Sequence, residues 1–391
     1  MRILMINSVC GIGSTGRICT DLYHELESKG HECCIVYGRG TCPKDIKTHK
    51  ISSKMDVINH ILITRVLDRH GFASKKSTFE LVDFIEEYNP DLIHLHNLHG
   101  YYLNIEILWN YIRKKRIRVV WTFHDMWPFS PHGAYLKNYE IKQSDRNERY
   151  TDRFEYPKTY FFSQSKRNYS DKLKLFSNYD LLTIVVPSTW LYKIVKNSFF
   201  KNNKTIVVRN GINLSSFYCT NNLKPNNKKI ILGVANFWEK RKGIDVFNEL
   251  SKIITDDYQI VLVGDRKKNK KNKRITYINN TKNIDELRNL YNMAYIFLNP
   301  TRADNYPTTN LEAQACNTAV ITTDIGGAPE TIYNGKGKVA KNLDEIITYI
   351  YTKDLWFNEK LEIPLEFLDK KSSSKQYINI YEDIINEYQQ K

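Results

Sequence analysis

Apolar and polar positions in this chain follow two periods in turn. Arg2–Ser8 is an apolar run that ends in a loop, Gly11-Ile-Gly-Ser-Thr-Gly16. Arg17–Ser28 then repeats Ile18, Leu22 and Leu26 at helical spacing, with Gly30 just past its end. The same alternation predicts strands at Cys33–Tyr37, Leu92–Leu95, Val119–Phe123 and Leu181–Val186. It predicts helices over Ser53–Asp68, with the stripe Ile58, Ile61, Leu62 and Leu67, over Asn104–Lys115 and over Thr189–Lys196. A further helix carries Leu81, Phe84 and Ile85, with Ser77 and Glu80 at capping-box spacing and Pro90 as its stop. Met126–Tyr169 shows no clean period.

The alternation restarts at Thr205–Val208, and the polar segment Thr220–Asn227 reads as a linker. Strands follow at Lys229–Val234, Gln259–Val263, Tyr295–Leu298 and Ala319–Thr322. The helices between and after them are Ile244–Ile254, Ile284–Tyr291, Thr309–Ala315 and Leu343–Tyr351. Strands alternating with helices predict an α/β chain with parallel, doubly wound sheets. The restart predicts two Rossmann-like domains, 1–200 and 201–372, facing a central cleft. Ligands of such sheets lie at the carboxyl ends of the strands.

Composition changes this picture little. The 391 residues suit two or three domains, and 41% hydrophobic with 26% charged residues is a globular balance. No run of about 18 apolar residues occurs, so no spanning helix is expected. The opening MRILMINSVC begins as a strand and not as a secretory leader. Seven cysteines, an odd number without a spaced framework, fit a reducing cytoplasm. The net charge of +15 points to an acidic partner: nucleic acid, an anionic membrane or a phosphorylated small molecule.

Four constellations can carry chemistry. Gly11–Gly16 lies between a strand and a helix, where Gly13 and Gly16 let a ligand approach free amides; a plain tight turn is the competing reading. Asp304 and Glu312 bracket a strand-to-helix turn whose start is marked by Pro307, Thr308, Thr309 and Asn310. Amides there suit a diphosphate, Glu312 a ribose and Asp304 a second ring; alternatively a threonine caps the helix and the acids answer its dipole. Lys240-Arg241-Lys242-Gly243 follows a strand and suits a leaving diphosphate, or is a solvated turn. His124 ends a strand as an acid, base or hydrogen-bond donor, or is a structural partner of Asp125.

All ten histidines fall in the first 132 residues, and His94, His96 and His99 lack the cysteine or glutamate company of a metal site. No Asp-x-Asp occurs, so the usual carboxylate site for a nucleotide-bound metal is missing. The basic run Arg266–Arg274 has no interleaved aromatics and reads as a solvated loop. The cluster Arg113–Arg118 and the stripe over Ile58–Leu67 suit either an anionic membrane surface or ordinary helix ends.

Taken in order, these motifs resemble the retaining glycosyltransferases of family 4, with the GT-B fold. The resemblance rests on the Gly11–Gly16 loop, His124 in Trp121-Thr-Phe-His-Asp, Pro187-Ser188, Arg209-Asn-Gly-Ile212 and Arg241-Lys242-Gly243. Asp304-x7-Glu312, Ala313-Gln-Ala315 and Gly326-Gly-Ala-Pro-Glu330 complete it. Trp121–Tyr135, Tyr156-Pro157, Ser165–Tyr169 and Thr301–Asn310 are similar to a colanic-acid and exopolysaccharide subgroup.

The resemblance implies a metal-independent, cofactor-free hexosyltransferase using a nucleoside-diphosphate sugar, with Asp304 and His124 orienting the sugar. Arg241, Lys242 and the amides near Thr308–Asn310 would hold the diphosphate, and Glu312 the ribose. It implies a lipid-linked or oligosaccharide acceptor in bacterial surface polysaccharide synthesis, and a cytoplasmic enzyme peripheral to the inner membrane face. It also implies that the last helix, about 373–387, packs back on the first domain. Two departures stand out: Asp304 replaces a glutamate, and Ala235-Asn236-Phe237 replaces Gly-Arg-Leu in a segment one residue longer, so the usual phosphate arginine is missing. The rival functions are a nucleic-acid-binding protein, favoured by charge alone, and a non-catalytic nucleotide-sugar-binding protein or phosphorylase-like enzyme on the same fold.

Overall fold

The computed structural model describes residues 1–135, 156–220, 227–266 and 272–389. The expected linker over Thr220–Asn227 and the basic run from Arg266 lie mostly outside the described residues. The chain divides into two compact units: Met1–Val208 with Ser374–Lys391, and Arg209–Ser373.

The first unit runs β1 (Arg2–Val9), α1 (Gly13–Ser28), β2 (Glu32–Arg39), β3 (Thr48–Lys50), α2 (Lys54–Leu67), α3 (Lys75–Tyr88) and β4 (Leu92–Leu95). It continues with α4 (Ile105–Lys115), β5 (Val119–Thr122), α5 (Ser165–Phe176), β6 (Leu182–Val186), α6 (Thr189–Lys196) and β7 (Lys204–Val207). Seven parallel strands pair in the order β3-β2-β1-β4-β5-β6-β7. The order reverses between β1 and β4, which makes that edge the crevice of a doubly wound sheet. Successive β1 side chains face opposite layers: Leu4 and Ile6 pack with Trp109 and Trp121, Ile3 and Met5 with Leu22 and Tyr381.

The second unit runs β8 (Lys229–Trp238), α7 (Ile244–Ile253), β9 (Tyr258–Arg266), β10 (Ile275–Ile278), α8 (Ile284–Met293), β11 (Ala294–Asn299) and α9 (Thr308–Ala315). Then come β12 (Val320–Thr323), β13 (Gly337–Ala340), α10 (Leu343–Tyr351), α11 (Lys353–Trp356) and α12 (Leu365–Leu368). Its six strands are ordered β10-β9-β8-β11-β12-β13, again with the reversal after the first strand in sequence, between β8 and β11.

The last helix, α13 (Lys370–Gln389), lays Tyr377, Ile378 and Tyr381 on the first sheet. Tyr381 Oη lies 2.6 Å from His94 Nδ1 and Tyr377 Oη 2.9 Å from Thr122 Oγ1, so strand-end polar groups under the helix are satisfied.

Three expectations need correction. The strand expected to open the second domain is β7, which pairs with β6, so the first sheet ends at Val207 and the boundary falls after Val208 rather than at 200. Ser165–Phe176, part of it in the stretch read as aperiodic, is helical because its buried stripe is Asn168, Lys172 and Phe176, which no apolar period reveals. Ser77 does not cap α3: the helix starts at Lys75, and Ser77 is buried inside it. In addition, Cys10 and Cys42 form a disulfide with Cα atoms 5.0 Å apart, while Cys19, Cys33, Cys34, Cys219 and Cys316 form no disulfide.

Candidate active site

In the second unit, β8 and β11 deliver their loops to one edge at the point of strand reversal. β8 leads into a single 3-10 turn, Lys240–Lys242, and Gly243 follows with φ +74°. A Cβ on Gly243 would sit 2.2 Å from Pro300 O, so only glycine lets this turn approach the β11 loop. Arg302 N donates to Arg241 O at 2.8 Å and Arg241 Nη1 donates to Ala303 O at 3.1 Å, locking the two loops together. Lys242 Nζ donates to Asp304 Oδ2 at 2.6 Å, both side chains being partly buried.

The register of β8 shifts shortly before this turn. Val234 pairs with Val263, but Phe237 pairs with Asp265, so three steps on β8 match two on β9. This is a β-bulge, and Gly264 (φ +128°) lies opposite it. Of Lys240 and Arg241, Arg241 is the one that reaches the β11 loop, and it is anchored also to Glu239 Oε1 at 3.1 Å, whereas Lys240 is exposed. Arg302 is engaged by Asp245 through both terminal nitrogens.

α9 starts at Thr308 after Pro307, and no side chain caps it. The reading in which a threonine caps this helix is therefore not what the structure has. Thr308 and Thr309 are half-buried at the first turn, where backbone N–H groups and the helix dipole favour an anion. Asn310 is buried: Asn299 Nδ2 donates to its Oδ1 at 2.9 Å, and its Nδ2 donates to Thr331 Oγ1 at 2.8 Å. Gln314 extends this frame to Thr331 O and Tyr333 N. Glu312 is buried one turn on, and Tyr291 Oη donates to its Oε2 at 2.9 Å.

Arg241, Lys242, Asp304, Thr308, Thr309, Asn310 and Glu312 thus belong to one edge of one sheet. Sequence reasoning missed Tyr291, Asn299 and Gln314, which fix this edge from behind. It also missed Tyr306, whose buried hydroxyl has no hydrogen-bond partner among the described residues.

The first unit places its candidates at its own carboxyl edge. Gly13 opens α1, and Gly11 N donates to Gly16 O at 3.1 Å. His124 follows β5, with Nε2 2.9 Å from His96 Nδ1 and the two rings stacked. Burial pushes His124 down to about 4, so its imidazole is neutral near pH 7. Asp125 lies within electrostatic reach of His124, and its own hydrogen bonds hold it in place: its Oδ2 meets His99 Nε2 at 2.6 Å, and its Oδ1 accepts from Trp127 N at 2.9 Å. Among the described residues no group of three or more His, Cys, Asp or Glu is placed to hold a metal ion.

Comparison with known proteins agrees with this architecture. In Campylobacter jejuni, N,N'-diacetylbacillosaminyl-diphospho-undecaprenol alpha-1,3-N-acetylgalactosaminyltransferase is 27% identical over 225 residues, 49% of this chain and 58% of that protein. The Staphylococcus aureus capsular polysaccharide biosynthesis glycosyltransferase CapM is 26% identical over 187 residues, 42% of this chain and 49% of its own length. The chain thus spans about half the length of these curated relatives. Among solved structures, sucrose-phosphate synthase from Thermosynechococcus elongatus superposes with a TM-score of 0.71 over 98% of this chain and 99% of that one, at 16% identity. Anabaena HepE in complex with UDP-glucose gives 0.65 over 98% and 100%, at 12% identity. These likenesses show the GT-B fold. The model described as Glycosyl transferases group 1 matches residues 228–351, the unit that carries the Lys242–Asp304 edge. The model for Glycosyltransferase Family 4 matches residues 15–216, more than half of the sequence, and on that match the chain belongs to glycosyltransferase family 4.

Proposed function

We propose that this protein is a retaining, metal-independent hexosyltransferase. It moves a sugar from a nucleoside-diphosphate donor to a lipid-linked glycan acceptor during assembly of a bacterial surface polysaccharide. The observation that carries the reading is the Lys242–Asp304 pair beside Arg241 and the uncapped start of α9, on one carboxyl edge of the second sheet. The relatives' names, which refer to capsule and to an undecaprenol-linked sugar, support the acceptor class.

In this reading the donor's diphosphate lies at the α9 start, where Arg241, Lys242 and backbone amides offset the charge that builds as the bond breaks. Asp304, released from Lys242 by the phosphate, accepts hydrogen bonds from the sugar, and neutral His124 donates one. Glu312, oriented by Tyr291, takes the ribose hydroxyls. The anomeric C–O bond to phosphate breaks with its electrons staying on the phosphate oxygen. The acceptor oxygen bonds the anomeric carbon on the same face, and its proton passes to the departing phosphate. Neither a resident metal nor a cofactor enters the scheme, and Arg241 with Lys242 supplies the positive charge. The enzyme works at the cytoplasmic face of the membrane that carries its acceptor.

The test is release of free nucleoside diphosphate from a panel of UDP-, GDP- and ADP-linked sugars, with a bacterial lipid extract as the acceptor source. Lipid-dependent release from one donor, with an α-linked product from an α-linked donor, is the expected result. Binding of a donor without release in any extract contradicts transfer and leaves a binding protein.

A further inference from the structure

Helix α2 is turned with its apolar stripe outward. The residues it buries are His60 and Thr64, while Met55 (71% exposed), Ile58 (50%), Leu62 (55%) and Val66 face away from the core. At 100° per residue, these four positions share an arc of about 80°, opposite His60. Hydrogen bonds hold the polar side inside. Gly71 N donates to His60 Nε2 at 3.0 Å, which leaves the proton on Nδ1 to donate to Ser74 Oγ at 2.8 Å. The segment after Pro157 prolongs the stripe. Tyr160 N donates to Arg65 O at 2.8 Å and Phe162 N to Val66 O at 3.2 Å, which stations Phe161 (70% exposed) and Phe162 (59%) at the end of α2.

Cations predominate around this face. Lys54 and Arg65 on α2 and Lys166 and Arg167 on α5 are all exposed, Arg167 with Nε 3.8 Å from Asp171 Oδ2 and Nη1 donating to Gln164 Oε1 at 3.1 Å. The single acid of α2, Asp56, closes the capping box with Ser53. The basic end of α4, by contrast, is spent inside the unit: Arg113 Nε donates to Leu175 O at 3.0 Å, and Arg116 pairs with Asp180 at 2.8 Å.

An exposed apolar stripe ending in two phenylalanines and rimmed by cations matches an anionic bilayer surface. The apolar side chains enter the headgroup boundary, and the cations meet lipid phosphates. No described helix is long and apolar enough to cross a membrane, and α2 has 14 residues, so a helix lying in the interface plane is the geometry that fits. We propose that α2 and residues 159–162 dock the first unit on an anionic membrane surface. The inference stands on this patch and not on the transfer reaction.

The full chain is sedimented with phosphatidylcholine vesicles, with and without phosphatidylglycerol, and with neither donor nor acceptor present. Binding to the anionic vesicles should be at least about tenfold tighter and should weaken with salt. Ile58→Ser with Leu62→Ser, and separately Phe161→Ser with Phe162→Ser, should each lower it by about tenfold at unchanged melting temperature. Lys166→Glu with Arg167→Glu should abolish the preference for anionic lipid. The proposal is overturned if the wild type stays in the supernatant or if both serine pairs bind like the wild type. It also fails if the serine pairs convert a dimer to a monomer while vesicle binding persists, since the face would then be a self-interface.

Discussion

Lys172 is buried on α5, with Nζ donating to Trp127 O at 2.6 Å and Ser130 O at 3.0 Å and lying 3.7 Å from the Trp127 ring centre. Burial pushes its ammonium well below the usual lysine range, and the two carbonyls and the indole face compensate by solvating it. Lys172→Met removes the donor from two buried carbonyls and should cost about 3 kcal/mol in the first unit, read as a lower denaturant midpoint. Tyr291→Phe removes one donor from Glu312 and should cost about 1 kcal/mol in the second unit while weakening nucleotide affinity several-fold, measured by titration calorimetry. Unchanged affinity would detach Glu312 from the nucleotide. At this scale the sequence shows which residues carry charge but not who holds them. Asp304 and Glu312 stand out by their spacing around a helix start. Tyr291 is only one aromatic on an amphipathic helix, and its hydroxyl meets Glu312 through packing between α8 and α9 that no local pattern encodes.

Elements were legible where their buried faces are apolar. β1, β4, β5 and β6 are short apolar runs, and α1 and α4 repeat leucine and isoleucine at helical spacing. α2 was legible as a helix over residues 53–68, although its apolar stripe does not mark the buried face, which carries His60 and Thr64; α5 was not read as a helix, because it buries Asn168 and Lys172. β7 is locally a strand like any other, and its place in the first sheet comes from long-range pairing with β6. The bulge in β8 ahead of Lys242-Gly243 is visible only in the register. That bulge leans on Gly264, where a Cβ would come within 1.7 Å of Ala235 O. Gly264→Ala should therefore destabilise the second unit by at least about 2 kcal/mol, seen as a lower melting temperature, and should shift the turn that carries Arg241. A melting temperature equal to the wild type's would contradict the close approach.

The two units of the molecule differ sharply in what they titrate. Every histidine lies in the first unit, and burial lowers His60 to about 3 and His124 to about 4, with His94 and His96 also held well below the usual range. The unfolded chain takes up these protons near pH 6.5, while the folded unit refuses them until the pH is much lower. Stability is thus fully present above about pH 6.5 and is lost as the pH falls toward the folded values. His60 alone should cost about 2 kcal/mol between pH 7 and pH 5. Calorimetry at the two values should show the first unit's transition moving down further than the second's, and equal movement would contradict the assignment. The two-unit α/β plan was readable from alternation alone, since it depends on periods of a few residues. The family was readable from motifs in order. The central claim is that the edge formed by Arg241, Lys242, Asp304 and α9 binds a nucleoside-diphosphate sugar. It is tested most directly by melting the full chain with UDP-, GDP- and ADP-sugars, alongside Lys242→Ala and Glu312→Gln. The account predicts that one donor raises the second unit's melting temperature and that both variants largely lose the rise, while no rise with any donor at millimolar concentration, or a rise kept in both variants, would contradict it.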